Sequence, residues 1–305
     1  MTAVALLEAI DRSTISPYKE AIAYEYLYSR EGMTLKELAN LTVHKDRLPT
    51  EALADYAGLL GPDGIDVVEE FFDRKLVRLP FHVAVRGTTS WPIGIADSRR
   101  PTPVLYYCGD LTLLDTPRVS VVGSRRASDK GLARAARLGR ELASAGITVV
   151  SGLAAGVDSA AMRAATNTFV DDEAGSLVGV IGTPIDECYP RQNADLQTYV
   201  ANRGLLVSQV PFYRYSVQPF KTRRYYFPER NELMAAISLA TVIVEASDTS
   251  GTLAQARACL YQKRPLFIMR SCVENESVSW PRKWIEREGV FVLDSTDQVI
   301  DAVRY

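Results

Sequence analysis

Short apolar runs separated by longer amphipathic stretches make up most of the chain after residue 118. The runs are rich in Val, Ile and Leu and do not alternate with polar residues, which is typical of strands buried on both faces of a parallel sheet. They cover 119–122, 147–150, 177–181, 205–210, 240–245, 265–269 and 290–293. Apolar residues at helical spacing predict helices over 129–145, 158–165, 192–202, 230–239 and 252–262. This alternation predicts an α/β domain with a mostly parallel, doubly wound sheet.

The first of these units shows how the chain is organised. Strand 119–122, helix 129–145 and strand 147–150 form a βαβ unit, in which Ser128 can cap the helix and Asp129 suits the positive end of its dipole. The loops after the two strands therefore face one edge of the sheet, where open α/β sheets bind ligands.

Residues 1–80 have a different pattern and predict a small helical N-terminal domain. Helices are expected over 17–30, after Thr34, and near 50–60 and 65–74, with Thr34 and Glu37 forming a capping box. The segment fits either a helix-turn-helix-like module or a packing or dimerisation unit. Its many acids argue against a DNA-facing surface: Glu51, Asp55, Asp63, Asp66, Glu69, Glu70 and Asp73. We expect a linker and edge strand over 81–118 and the main domain over 119–305.

Composition narrows the classes of function. The net charge of −2 gives no overall attraction to polyanions, so a nucleic-acid site would need local clustering of cations. Four scattered cysteines, only two histidines and the lack of a secretory h-region favour a cytoplasmic protein without a metal or cofactor, and argue against His-based catalysis. No apolar run approaches the length of a membrane span.

Three loops that follow predicted strands carry glycines or hydroxyl residues directly before a helix. They contain Gly123, Ser124 and Arg125; Ser151, Gly152 and Gly156; and Ser250, Gly251 and Thr252. Glycine lets a phosphate approach the backbone, a helix N-terminus offers free N–H groups, and an arginine can bind phosphate through two hydrogen bonds. No nucleotide-binding fingerprint is matched. Tight turns and ordinary helix caps are the alternative, and the single acids Asp158, Asp186 and Glu245 are more often caps than catalytic groups.

The segment 212–231 interleaves cations with aromatic residues. It contains Arg214, Lys221, Arg223, Arg224 and Arg230 among Phe212, Tyr213, Tyr215, Phe220, Tyr225, Tyr226 and Phe227. Aromatic faces that stack on bases, beside cations that hold the backbone, are typical of single-strand binding. The alternative is a tyrosine-rich loop packed on its own domain.

These motifs together resemble the DNA-processing protein A family, also called Smf. Six segments occur in the order seen in the family: VVGSRRAS, VVSGLAAGVDSAA, GVIGTPIDECYPRQN, FPERN, VIVEASDTSGTLAQARACL and RPLF. The similarity covers roughly residues 91–303. The resemblance implies an extended Rossmann-like fold and a homodimeric, non-enzymatic protein that binds single-stranded DNA, protects it and loads the recombinase RecA during natural transformation. The DNA-binding residues it implies, together with the loops above, are Gly123, Ser124, Arg125, Ser151, Gly152, Gly156, Arg223, Arg224, Phe227, Arg230, Asn231, Ser250, Gly251, Thr252 and Lys263.

The chain departs from the family pattern at several positions. Met162 replaces a usual His, Gln209 a Glu, Glu232 an Arg, and Met269-Arg270 a Pro-Gly pair. Glu232 is expected to put an acid near the predicted pocket, which would oppose DNA binding or change the ligand. The alternative is a nucleotide sensor or nucleotide-phosphate hydrolase on the same fold, although the hydrolase motif P-G-G-x-G-T-x-x-E keeps only its Gly-Thr here.

Overall fold

A computed structural model describes residues 15–55, 63–78, 80–99, 101–166, 168 and 176–304. Its centre is a nine-stranded sheet in the order β1-β2-β6-β5-β4-β3-β7-β8-β9. The strands are β1 (His82–Val85), β2 (Val104–Gly109), β3 (Arg118–Val122), β4 (Thr148–Ser151), β5 (Leu177–Val180), β6 (Leu205–Ser208), β7 (Ala240–Ile243), β8 (Leu266–Met269) and β9 (Val290–Leu293). The seven strands from β6 to β9 in this order are parallel, and β1 and β2 are antiparallel at one edge.

Thirteen α-helices connect and cover the strands in the described part of the chain. They are α1 (Pro17–Ser29), α2 (Leu35–Leu41), α3 (Pro49–Ala54), α4 (Asp63–Arg78), α5 (Asp129–Ser144), α6 (Val157–Thr166), α7 (Ala194–Arg203), α8 (Phe212–Val217), α9 (Tyr226–Ile237), α10 (Thr252–Tyr261), α11 (Arg270–Val273), α12 (Trp280–Trp284) and α13 (Asp297–Arg304). The α/β class, the mostly parallel sheet and the helical N-terminal region are confirmed.

The order of the strands places a crevice at the middle of the sheet. The chain runs outward from β3 through β4 and β5 to β6, and then returns to place β7 on the other side of β3. Val121 lies opposite Val242 in the resulting β3–β7 pair. Loops after β3 and β7 therefore leave in opposite directions, which is the switch point where open α/β sheets bind ligands.

Several elements differ from the sequence prediction. Strand β1 and helix α8 are not predicted, because each is too short to show a period. Helix α9 begins at Tyr226 instead of Arg230, since Pro228 is compatible with the first turn of a helix. The helix predicted over 50–60 ends at Ala54, and 56–60 lie outside the described residues, as do 1–14.

The helices of the first 80 residues pack against the main sheet through polar contacts as well as apolar ones. Buried Glu25 of α1 accepts hydrogen bonds from the Tyr106 hydroxyl (2.6 Å) and from the backbone N–H groups of Phe212 and Tyr213 (2.9 Å each). The carboxylate of α1 therefore holds the first turn of α8. The predicted capping box of Thr34 and Glu37 is also present.

A second link joins α1 to the first turn of α9. The Tyr28 hydroxyl donates a hydrogen bond of 2.9 Å to Oε2 of Glu229. Burial raises the pKa of Glu229 to about 7, although the hydrogen bond from Tyr28 and the charge of Arg214 both favour the ionised form. The folded chain therefore keeps a proton on Glu229 at pH values where the unfolded chain has released it.

We expect the free energy of unfolding to fall as the pH rises from about 4.5, the ordinary glutamate value, to about 7. A pKa difference of that size contributes roughly 3 kcal/mol, present in full at the acidic end of this range and lost at the alkaline end. Glu229→Gln still accepts from Tyr28 but has no proton to release, so its stability should vary less with pH. Denaturant unfolding across this range measures both slopes, and equal slopes would contradict the assignment.

Candidate nucleic-acid interface

A cleft of about 520 Å³ lies at the switch point, outside the carboxyl ends of β3 and β7. Most of the predicted binding residues line it: Gly123, Ser124, Arg125, Phe227, Arg230, Asn231, Ser250, Gly251 and Thr252. The convergence of the loops after β3 and β7 with the first turns of α9 brings these residues together. Sequence reasoning missed Arg126 and Gln255, which also line the cleft.

Arg230 is the buried cation of the cleft. Its side chain is 7% exposed, and Nη1 donates a hydrogen bond of 3.1 Å to the carbonyl of Val180, the last residue of β5. Burial lowers the pKa of Arg230, and the neighbouring Asp158 carboxylate opposes that change. Among the described residues, Nε has no hydrogen-bond partner. The guanidinium therefore lines the cleft with one donor unused.

Gly152 explains how Arg230 fits at the end of the sheet. A Cβ on Gly152 would lie 1.5 Å from Nη1 of Arg230, so a larger residue would occupy the place of the guanidinium. Gly152 itself donates its N–H to Asp158 (3.2 Å) and does not line the cleft. Its role is therefore to admit the arginine and not to cradle a phosphate directly.

Gly123 and Gly156 also serve close packing, whereas an added Cβ on Gly251 would meet nothing within 4 Å. A Cβ on Gly123 would lie 2.6 Å from Val157, and one on Gly156, whose φ is 83°, would lie 2.2 Å from the Ser124 carbonyl. The Ser124 N–H already donates to the Glu245 carbonyl at 2.7 Å. These contacts fix the loop after β3 against the start of α6.

The hydroxyl of Ser151 is not available to a ligand. The residue is fully buried, and its Oγ donates to the carbonyl of Val121 at 2.9 Å. Neither Ser151 nor Gly156 lines the cleft. For the loop after β4, the tight-turn alternative therefore describes the geometry better than direct contact with a phosphate.

The three single acids have structural partners. Glu245 accepts from the N–H (2.9 Å) and Oγ (2.6 Å) of Ser128, the N-cap of α5, and Asp186 pairs with Lys75 at 2.5 Å. Asp158 is buried, and burial raises its pKa against the charge of Arg230. These carboxylates hold elements in place, as expected for caps. No group that could hold a metal ion occurs among the described residues.

Two exposed cations stand at the mouth of the cleft. Arg125 and Arg126 lie in the loop after β3, and both side chains are exposed. Their position depends on Ser128, which caps α5 by accepting from the Gly131 N–H at 3.0 Å. Arg125 and Arg126 therefore add positive charge in front of buried Arg230.

The segment 212–231 divides into a packed part and an exposed part. Phe212, Tyr215 and Tyr226 are buried, as the alternative for this segment predicted. Phe220 and Tyr225 are 82% and 59% exposed. The buried rings of the segment therefore anchor its exposed rings to the protein.

We call exposed Tyr189, Phe220 and Tyr225, together with half-buried Phe227, the aromatic strip. The ring centroids of Tyr189 and Phe227 lie 5.5 Å apart, and Phe227 lines the cleft. Arg224 lies 5.3 Å over the ring of Tyr225, which puts an exposed cation beside the strip. Tyr189 and Phe227 therefore continue outward from the cleft, whereas Phe220 and Tyr225 lie in the turn just before α9.

Arg223, Arg224 and Lys263 lie outside the cleft. Arg223 stacks 4.4 Å over Tyr215 and Arg224 is exposed, both in the turn just before α9. Lys263 follows the C-terminus of α10 and precedes β8. It therefore lies at the amino ends of the parallel strands, whereas the cleft lies at their carboxyl ends. The structure does not bring Lys263 together with the other predicted residues.

The departures from the family pattern do not enter the cleft. Glu232 follows Asn231 but lines a separate groove on another side of α9, with Lys36 and Arg99, so it adds no carboxylate to the lining of the cleft beside that of Asp158. Met162 and Gln209 are buried, and Arg270 pairs with Asp294. The cationic character of the cleft is therefore kept.

Comparison with known proteins agrees with this arrangement. The sequence model of the family described as DNA recombination-mediator protein A matches residues 82–304. The DNA processing protein DprA of Streptococcus pneumoniae is 29% identical over 255 residues, which cover 79% of this chain and 84% of that protein. Protein Smf of Escherichia coli is 30% identical over 202 residues, covering 66% and 51%.

Two solved structures share the architecture. The X-ray structure of DNA processing protein A from Streptococcus pneumoniae superposes with a TM-score of 0.74 at 26% identity, covering 95% of this chain and 99% of that one. DNA processing protein A from Helicobacter pylori, whose structure concerns its mode of single-stranded DNA binding, gives 0.61 at 25% identity, covering 74% and 96%. None of the described helices is long and apolar enough to span a membrane.

The close contact at Gly156 can be tested against a matched glycine. Gly146 has a similar φ of 74° but nothing within 4 Å of an added Cβ. Gly146→Ala should cost about 1 kcal/mol of stability from backbone strain alone. Gly156→Ala should cost at least about 2 kcal/mol more, because the Ser124 carbonyl must move. Denaturant unfolding measures both, and equal losses would show that the loop after β3 does not pack on Gly156.

Proposed function

The chain belongs to the DNA recombination-mediator protein A family, and on that premise we propose that it binds single-stranded DNA across the cleft and the aromatic strip. The observation that carries the proposal is that Phe227 lines the cleft and also packs against exposed Tyr189. The cleft beside this ring holds buried Arg230 and exposed Arg125, and the turn just before α9 carries exposed Phe220, Tyr225 and Arg224.

The chemistry of a single strand matches both parts. A phosphodiester carries a negative charge that Arg125 and Arg230 can neutralise, and bidentate arginine contacts are strong. Unpaired bases expose faces that stack on aromatic rings, a contact worth about 1–3 kcal/mol per base. A duplex hides those faces, so the strip gives a preference for single strands.

Recombinase loading, protection of the strand and a homodimeric state remain predictions from the family resemblance, and a cytoplasmic location remains a prediction from the scattered cysteines and the lack of a secretory h-region. We include in the proposal that the protein acts without catalysing a reaction, since the carboxylates around the cleft hold structural elements. Co-sedimentation with a RecA-type recombinase in the presence and absence of the strand checks the loading step. Sedimentation equilibrium of the protein alone checks the oligomeric state.

Binding should depend on the arginines of both surfaces. Arg125→Ala and Arg224→Ala are each expected to weaken single-strand binding by about 1–3 kcal/mol and to reduce the slope against salt by about one, because each removes one phosphate contact. Fluorescence anisotropy of a labelled oligothymidine over a salt series measures both quantities. Duplex of the same length should bind more weakly at every salt concentration.

Arg140→Ala is the matched control, because Arg140 is an exposed arginine of α5 that does not line the cleft. Its affinity and salt slope should equal those of the wild type. If Arg125→Ala and Arg224→Ala also behave as the wild type does, the interface lies elsewhere. Failure of the wild type to bind at low salt would favour the alternative of a nucleotide ligand.

A further inference from the structure

Gln255 of α10 is the most deeply buried polar side chain that lines the cleft. It is 1% exposed, so its amide lies in the wall and out of reach of bulk water. Within the described part of the chain, neither Oε1 nor Nε2 has a hydrogen-bond partner. Nε of Arg230, in the wall of the same cleft, is also without a partner there.

Such a pair is unusual for a folded protein. Most buried side-chain polar atoms find a hydrogen-bond partner, and leaving one unsatisfied costs free energy. Here an acceptor and three N–H donors, two from the amide and one from the guanidinium, are unused in the wall of one cleft, where these atoms have almost no accessible surface. Unused buried groups of this kind lose their cost when a ligand supplies the missing partners.

The chemistry of the amide identifies which part of a strand would satisfy it. Phosphate oxygens and the sugar oxygens of internal DNA residues only accept hydrogen bonds, so they can serve Nε2 of Gln255 and Nε of Arg230 but not Oε1 of Gln255. The donors that DNA offers are the N–H groups of its bases. A base edge also carries an acceptor beside its donor, which matches the paired donor and acceptor of a carboxamide.

We propose that the Gln255 amide turns from the wall into the cleft when a strand binds and reads the edge of one nucleobase there. This inference rests on the proposed binding of single-stranded DNA and adds a specificity-determining residue to it. The cleft volume of about 520 Å³ is within the range of ordinary ligand sites. The cleft is open at Gly251, which precedes the helix of Gln255 and has no atom within 4 Å of an added Cβ.

The test compares an oligothymidine with an abasic oligomer of the same length and charge. Gln255→Leu removes both hydrogen-bonding atoms at similar size, and it should weaken binding of the oligothymidine about tenfold, in the range of one lost bidentate base contact. Binding of the abasic oligomer should stay unchanged. Arg125→Ala is the contrasting variant, because loss of a phosphate contact weakens binding of both oligomers by the same factor.

The possible results separate the two levels of the proposal. If the wild type binds neither oligomer, the proposed function fails. If the wild type binds both and Gln255→Leu leaves the ratio of their affinities unchanged, binding stands but the reading by Gln255 is overturned. Thermal unfolding of Gln255→Leu shows whether the variant is folded, and Gln255→Met, which is unbranched like glutamine, replaces it in the same comparison if it is not.

A free nucleotide could offer the same base edge, and a competition experiment distinguishes this source. Unlabelled thymidine monophosphate is added to the complex of the wild type with the labelled oligothymidine. Competition only at concentrations far above those of the unlabelled strand is expected. Competition at comparable concentrations would assign the Gln255 amide to free nucleotides and overturn the strand proposal.

Discussion

The site depends on one contact, the buried guanidinium of Arg230 laid against Gly152. A cation can remain at this depth because the carbonyl of Val180 accepts one of its hydrogen bonds and the Asp158 carboxylate lies close to it. Asp158 in turn accepts from the N–H of Gly152, so the ends of β4 and β5 and the start of α6 are tied to the first turns of α9. A Cβ at position 152 would remove the space for this arrangement. The wall of the cleft is therefore a consequence of packing at the strand ends.

Around that contact, the positively charged side chains and the aromatic rings occupy different parts of the surface. Arg125 and Arg126 extend the positive charge of the cleft into solvent, and the aromatic strip adds apolar faces beside it. The net charge of −2 leaves these local groups as the source of any attraction to a polyanion. A binding surface of this kind needs order in its exposed rings, because fixing mobile side chains opposes binding.

The N-terminal helices supply part of that order. Glu25 of α1 binds the first turn of α8, and Tyr28 binds Glu229 of α9, so both ends of the segment that carries Phe220 and Tyr225 are held. Arg214 also stacks over Tyr28 at a distance of 4.5 Å. This is the packing role considered for residues 1–80, and it links the helical region to the aromatic strip.

The sequence by itself determined most strands, most helices and the loops that meet at the cleft, because buried parallel strands and capped helices leave local patterns such as those around Val119 and Thr34. It could not decide which side of a loop faces a ligand. In the sequence, Ser151 and Gly152 suggest a phosphate-binding loop. In the structure, Ser151 donates a hydrogen bond to the carbonyl of Val121, and Gly152 packs against the guanidinium of Arg230. It also could not find Gln255, since a glutamine within a helix has no local signal of burial. Only the tertiary structure decides such roles, because burial and hydrogen bonding depend on residues distant in the chain.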